Sequence, residues 1–288
     1  MSANRQTLAS VPAAHPPIRG RGTVVSNVVD GNGRKIRLRV AGWPGASPGQ
    51  FVMVGAGPEA SVPRRDPLLP RPMAVYREFG ETAPGTRDVE LLYRVVGRGT
   101  TLLSEAEKGD TVSIVGPLGE GFPIDRGEGP ALLAGGGTGI ASLFELARGL
   151  AATGRETVVL LGARGEKDLI GRGDFEALAS EGVELVCATE DGSAGVKGLV
   201  TVPLRERLAK AGTSATVFAV GPTPMMRACA GLAAEAGAGC LVSLENPMAC
   251  GFGVCLGCAA PRAEGGFSLV CKAGPVFEAT EIAWEGLP

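Results

Sequence analysis

Two hydrophobic rhythms succeed one another along the chain. In Lys35-Ile36-Arg37-Leu38-Arg39-Val40 apolar and polar positions alternate strictly. A period of two sends successive side chains to opposite faces of a strand, one buried and one wet. Shorter runs at 22–29, 50–54, 74–76, 89–96 and 111–115 are divided by Gly, Pro and Asp clusters. They predict further strands of an antiparallel β-barrel or sandwich. From Ala131 the pattern changes to largely apolar runs at 131–134, 157–162, 183–188 and 215–220, each followed by a helical stretch, at 140–152, 173–180, 202–211 and 224–236. Strands buried on both faces and alternating with helices predict an α/β parallel-sheet domain. Right-handed crossovers then align the strand ends along one edge, where dinucleotides bind. The expected chain is multi-domain: a disordered lead-in at 1–20, an antiparallel β-barrel at 21–124, the α/β domain at 125–241 and a small C-terminal cluster domain at 242–288.

Composition narrows the function classes. A net charge of −2 without a polybasic run makes no electrostatic case for nucleic acid or a membrane surface. The stretch 131–150 is interrupted by glycines and Glu145, so no transmembrane span is expected, and 1–20 lacks the apolar core of a signal peptide. Gly 45 and Pro 21 against 5% aromatic residues suit tight turns and cofactor-cradling loops. Seven cysteines, an odd number, argue for a reducing cytoplasm rather than a disulfide scaffold. His15 is the one histidine and falls in the lead-in, and no nucleophile or acid–base constellation is visible.

Cysteine spacing supplies the strongest chemistry. Cys250, Cys255, Cys258 and Cys271 stand as C-x4-C-x2-C-x12-C, the plant-type ferredoxin pattern for a [2Fe-2S] cluster. A structural zinc, or an unmetallated or disulfide-bonded loop, is the alternative, although zinc sites usually come as two C-x2-C pairs. Gly251, Gly253 and Gly257 allow backbone N–H groups to approach the sulfurs. Cys187, Cys229 and Cys240 lack such spacing and read as core thiols.

Two anion-binding devices stand in the barrel. Arg71 leads into an extended run, Pro72-Met73-Ala74-Val75, and its guanidinium can fork onto a phosphate. In Gly97-Arg98-Gly99-Thr100 a strand ends and a short helix begins, and Thr100 can cap that helix or bind phosphate. In the α/β domain, Gly135-Gly136-Gly137-Thr138-Gly139 joins a strand to a helix, either as a pyrophosphate cradle or as close packing. Arg164 and the Gly221-Pro222 turn end later strands. Lys167 and Arg164 can hold a ribose 2′-phosphate, and no acidic residue clearly claims the ribose diol.

Together with Gly116-Pro117-Leu118-Gly119, these motifs resemble the ferredoxin-NADP reductase superfamily. The C-terminal cluster, with Ser243-Leu244-Glu245 and Val270-Cys271-Lys272 around it, resembles the electron-transfer subunits of two-component, NAD-linked bacterial dihydroorotate dehydrogenases. The resemblance implies FAD in the barrel, NAD on the α/β domain and [2Fe-2S] near the end. It implies an FMN-containing catalytic subunit as partner, oxidising dihydroorotate to orotate in pyrimidine biosynthesis, in a cytoplasmic heterotetramer of two plus two. By position, Arg71 would contact FAD phosphates, and Pro72, Met73, Ala74 and Val75 would line the isoalloxazine. Gly97, Gly99 and Thr100 would hold the pyrophosphate, with Tyr93 nearby. Gly136, Gly137, Thr138, Gly139, Arg164, Gly221 and Pro222 would hold NAD, and Glu245 is either a flavin-edge residue or an ordinary loop carboxylate. Relatives often carry Ser or Thr at Ala74 and Cys at Val220, and neither hydroxyl nor thiol is present here. The same module can serve another oxidoreductase, such as a hydrogenase or a ferredoxin- or sulfide-linked NAD(P) reductase, and a non-redox binding role is the third reading.

Overall fold

The computed structural model describes residues 16–60 and 66–288. His15, Arg64 and Arg65 lie outside the described residues. Six strands close the barrel: β1 (Ile18–Asp30), β2 (Gly33–Ala41), β3 (Phe51–Val54), β4 (Arg71–Ala83), β5 (Thr86–Tyr93) and β6 (Thr111–Leu118), in the order β1-β2-β5-β4-β3-β6. The period-two strand behaves as its pattern requires. Ile36, Leu38 and Val40 are buried in the barrel core. On the outer face Arg37 and Arg39 stand opposite Glu90 and Asp88 of β5, with N–O distances of 3.1 and 2.8 Å. Such partly exposed pairs set register more than they add stability.

Three barrel boundaries differ from expectation. β1 starts at Ile18, inside the expected lead-in, because Ile18 to Thr23 pair with β6 and close the barrel. β4 starts at Arg71, so this arginine belongs to the strand. β5 stops at Tyr93, leaving Arg94 to Val96 as an irregular approach to helix α1 (Arg98–Ser104).

The second sheet uses β7 (Ala131–Gly136), β8 (Thr157–Ala163), β9 (Val183–Thr189), β10 (Val196–Lys197), β11 (Thr216–Val220) and β12 (Gly239–Ser243). Helices α2 (Phe144–Ala152), α3 (Arg172–Ala177), α4 (Thr201–Ala211) and α5 (Thr223–Glu235) alternate with these strands. The first half of the helix expected at 140–152 is instead a 3-10 turn, Gly137–Leu143, entered through Gly137 at φ 58°. The cysteine segment adds a two-stranded hairpin, β13 (Ala259–Pro261) with β14 (Phe267–Leu269), helix α6 (Val270–Ala273) and strand β15 (Val276–Glu278).

β15 lies in the segment expected as a separate domain from 242. It joins the second sheet as an antiparallel edge beside β12, in the order β10-β9-β8-β7-β11-β12-β15. The cysteine segment is therefore an excursion between two adjacent strands of one sheet. Cys258, Val270 and Cys271 share a buried core with Leu132 of β7, Val217 of β11 and Met53 of β3. Burial in a common core fixes the segment against both domains.

Barrel and sheet also meet through an aromatic cluster. Tyr76 of β4 packs on Phe144 of α2 at 5.1 Å between ring centroids, and Phe144 on Phe175 of α3 at 5.3 Å. Asp174 accepts the Tyr76 hydroxyl hydrogen bond at 2.9 Å and pairs with Lys35 at 2.7 Å and Arg77 at 3.3 Å. Burial, helped by the Asp174 charge, holds the Tyr76 phenol protonated far above its usual range. A polar group buried this way is costly unless bonded, so the network fixes one docking geometry. Among the described residues no helix is long and apolar enough to cross a membrane.

Candidate functional site

The Arg71 strand and the Gly97 turn, far apart in sequence, meet at one end of the barrel. A Cβ built on Gly99 would fall 2.6 Å from the Arg71 guanidinium, so only glycine lets Arg71 lie over the start of α1. Arg71 Nη1 donates to the Leu69 carbonyl at 2.7 Å, which holds the fork in place. The Thr100 hydroxyl accepts from the Val96 and Gly97 N–H groups at 3.0 and 3.2 Å and donates to the Gly97 carbonyl at 2.9 Å. The hydroxyl thus caps the helix, as expected of it. Gly97 has open space where a Cβ would stand.

From this end a cavity of about 330 Å³ runs between the barrel, the turn after β7 and the segment after β12. Arg71, Pro72, Met73 and Ala74 form one wall, Tyr93 and Thr100 another, and Thr138, Gly139, Val220 and Glu245 the far side. Tyr93 reaches it with its hydroxyl bonded to Asn27 Oδ1 at 3.0 Å. Val75 is the exception among the residues expected on this wall, because strand alternation turns it into the barrel core. The cradle, mostly apolar with a few polar groups, fits a flavin dinucleotide.

A second cavity, about 470 Å³, opens at the carboxyl ends of β7 and β8. Gly136, Gly137, Arg164 and Pro222 line it. Gly221 stands beside it at φ 152°, and a Cβ there would fall 2.8 Å from Met225 Cε. The glycine loop thus divides its duties. Gly135 and Gly139 are packing glycines, their hypothetical Cβ atoms 2.8 Å from Ile140 and from the Gly221 backbone. Gly137 has no neighbour there, so its backbone is open to a ligand. Lys167 does not line this cavity.

Asp168 and Glu190 do, and the sequence reading did not single them out. Glu190 directly follows β9, and its N–H donates to the Ala163 carbonyl at 3.1 Å, placing it beside the end of β8. Its position just beyond an apolar strand was the available signal. Asp168 is paired with Arg94 and accepts from Asn32 Nδ2 at 3.0 Å, interactions that hold its carboxyl below its usual pKa, with Asn32 the largest cause. Arg94 borders both cavities.

The cysteines stand beyond the first cavity. Cys258 and Cys271 are buried with sulfurs 3.2 Å apart, Cys250 is half-buried and Cys255 is exposed. Among the described residues no three such ligands are gathered at metal-binding distance. The thiols come instead as two pairs, Cys250 with Cys255 and Cys258 with Cys271. Two thiolates per iron is what a binuclear cluster takes. Burial opposes ionisation of Cys250, but the N–H groups of Cys255, Phe252 and Val254 outweigh it and bring its pKa down to about 6. These donors surround the Cys250 sulfur, as they would around a thiolate that ligates iron, so the donor set fits. Gly251 and Gly253, at φ 83° and 85°, make that loop possible. A Cβ on Gly251 would fall 2.5 Å from Met53, so the loop lies directly on β3.

Glu245 stands between cavity and cluster loop. It is exposed at the cavity wall, and partial burial raises its pKa. The neighbouring Asn246 is buried and donates to the Ala259 carbonyl at 3.2 Å, tying this segment to the cluster region.

Comparison with known proteins agrees with this layout. The model of the oxidoreductase NAD-binding domain matches residues 133–231, and that of the iron-sulfur cluster binding domain of dihydroorotate dehydrogenase B matches 245–283. The chain is similar to a solved NADH-dependent reduced ferredoxin-NADP oxidoreductase, at TM-score 0.78 and 31% identity over 92% of this chain and 91% of that one. It is 39% identical, over 83% of its length and 89% of the relative, to a dihydroorotate dehydrogenase B (NAD(+)) electron transfer subunit of Caldanaerobacter subterraneus subsp. tengcongensis. The corresponding subunit of Geobacillus sp. (strain WCH70) is 38% identical over 82% of this chain and 86% of that one. The chain belongs to the family of dihydroorotate dehydrogenase B (NAD(+)) electron transfer subunits.

Proposed function

We propose that this chain carries electrons from a partner subunit that oxidises dihydroorotate to orotate, by way of [2Fe-2S] and FAD, to NAD+. The observation that carries this reading is the order of the sites. The cysteine loop lies on β3 beside the cavity suited to a flavin, and that cavity shares Arg94 with the dinucleotide cavity. A flavin between cluster and nicotinamide supplies the exchange between single electrons and hydride.

The chain's own residues bind and orient. Arg71 and the N–H groups at Gly99 and Thr100 hold the FAD phosphates, while Pro72, Met73 and Ala74 run along the ring. Gly136, Gly137 and Pro222 receive the dinucleotide, with Arg164, Asp168 and Glu190 at its adenosine end. Arg94 and Arg164 against Asp168 and Glu190 give no net attraction for a 2′-phosphate there, which supports NAD over NADP. Cys250, Cys255, Cys258 and Cys271 hold the cluster.

The partner in this reading is an FMN-containing catalytic subunit, two copies of each chain assemble, and the complex works in the cytoplasm. The test is dihydroorotate-dependent NAD+ reduction by the complex isolated through a tag on this chain. NADH formation that disappears when the chain is stripped of cluster or FAD is the expected outcome. A preparation holding FAD and reducible cluster but inactive with dihydroorotate would transfer the module to another oxidoreductase, identified from the co-purifying chain.

A further inference from the structure

Hydride transfer, on the relay reading above, requires the nicotinamide ring to lie against the flavin with the reacting atoms within about 3.5 Å. The second cavity must therefore open into the first. The turns after β7 and β11 mark where. Gly136, Gly137 and Pro222 line the second cavity, whereas Thr138, Gly139 and Val220 line the first. β7 and β11 are parallel neighbours paired as far as Gly135 and Val220, so the two turns stand side by side.

A methionine lies across this junction. Gly136 and Gly221 are adjacent, since a Cβ on Gly221 would fall 3.1 Å from the Gly136 carbonyl oxygen. Two neighbouring residues without side chains leave a trough, and Met225 fills it. Its Sδ lies 2.7 Å from where a Gly136 Cβ would stand, and its Cε 2.8 Å from that of Gly221. Met225 belongs to the first turn of α5, where its N–H donates to the Pro222 carbonyl at 2.9 Å. The next residue, Met226, is 1% exposed in the core, whereas Met225 is half-buried and lines the second cavity.

A ring passing from the second cavity to the first meets this thioether. The trough itself is backbone at the ends of two central strands and cannot step aside. An unbranched side chain with three rotatable bonds can. A ligand that binds only the open arrangement loses apparent affinity in proportion to the fraction of molecules that are open. The adenosine diphosphate portion needs no passage and bears no such loss.

We propose that Met225 is a gate between the two cavities, its side chain closing the glycine trough in the absence of nicotinamide and withdrawing to admit the ring to the flavin.

The test compares ligands with and without the ring. The complex, carrying flavin and cluster, is titrated with NAD+ and with ADP-ribose, which lacks nicotinamide. Flavin reduction by NADH is then followed anaerobically: the C–H bond of NADH breaks, its hydride forms an N–H bond on the flavin, and NAD+ remains. In Met225→Ala the gate is gone, so affinity for NAD+ rises about tenfold relative to ADP-ribose. The NADH concentration for half-maximal reduction rate falls in the same proportion. In Met225→Phe a stiffer side chain fills the trough, so flavin reduction slows about 100-fold while ADP-ribose affinity stays within about twofold. Met225→Leu, of similar volume, behaves much as wild type. An unchanged ratio of NAD+ to ADP-ribose affinity in Met225→Ala would overturn the proposal. Slower flavin reduction in that variant would also overturn it, by making Met225 a surface on which the ring packs. Equal weakening of both ligands in Met225→Phe would do so too, by making Met225 a packing residue of the second cavity. A wild-type complex that holds flavin but is not reduced by NADH would instead remove the relay reading itself, before any variant is compared.

Discussion

At residue scale the clearest dependence is Gly99 on Arg71. Gly99 is the second residue of α1, where the backbone accepts any L-residue, so its glycine is explained by the guanidinium 2.6 Å from its missing Cβ. The end of an arginine is flexible and can swing away. Gly99→Ala should therefore leave the fold within about 0.5 kcal/mol of wild type, or slightly more stable, because alanine is the better helix former. FAD affinity should fall by about tenfold or more, measured by flavin fluorescence titration and compared with a melting curve. Arg71 and Gly97-Arg98-Gly99-Thr100 were legible as separate devices, since a fork of donors and a strand-to-helix turn are local properties. Their convergence was not, because it depends on β4 and β5 pairing side by side. Glu245 shows the same limit: its carboxyl is plain in the sequence, but only the tertiary structure places it on the cavity wall.

Among the elements, the cysteine loop is the most self-sufficient. Spacing and glycines dictate a sulfur-lined turn, and the structure places Gly251 and Gly253 at positive φ as that turn requires. Cys255 is exposed, so Cys255→Ser should remove one ligand without opening a cavity in the core. Iron content and the visible absorption of the cluster should be lost while FAD stays bound at full stoichiometry. Loss of both from a folded protein would contradict the separation of the two sites. Less legible was β15, three residues that complete the second sheet. A strand so short carries no periodicity, and its place beside β12 is decided by long-range pairing. The 3-10 turn at Gly137–Leu143 was hidden for a related reason: helical spacing of apolar residues does not distinguish a tight turn from an α-helix start.

For the whole molecule, hydride transfer requires the two cavities to face each other, and the Tyr76, Phe144 and Phe175 cluster sets that relation. Phe175 is fully buried, and Phe175→Ala should cost about 3–5 kcal/mol in chemical denaturation, with slower flavin reduction by NADH in what remains folded. A stability loss with unchanged hydride transfer would show that the cluster holds the fold but not the docking. The sequence by itself determined the two architectures and the four-cysteine spacing expected to hold a cluster, because periodicity, cysteine spacing and glycine turns act over a few residues. Only the tertiary structure decided that β15 of the cysteine segment joins the second sheet, that Arg94 borders both cavities, and that Asp168 and Glu190 line the second one. Those facts depend on which distant strands pair and which side chains share a core, and no local pattern encodes them.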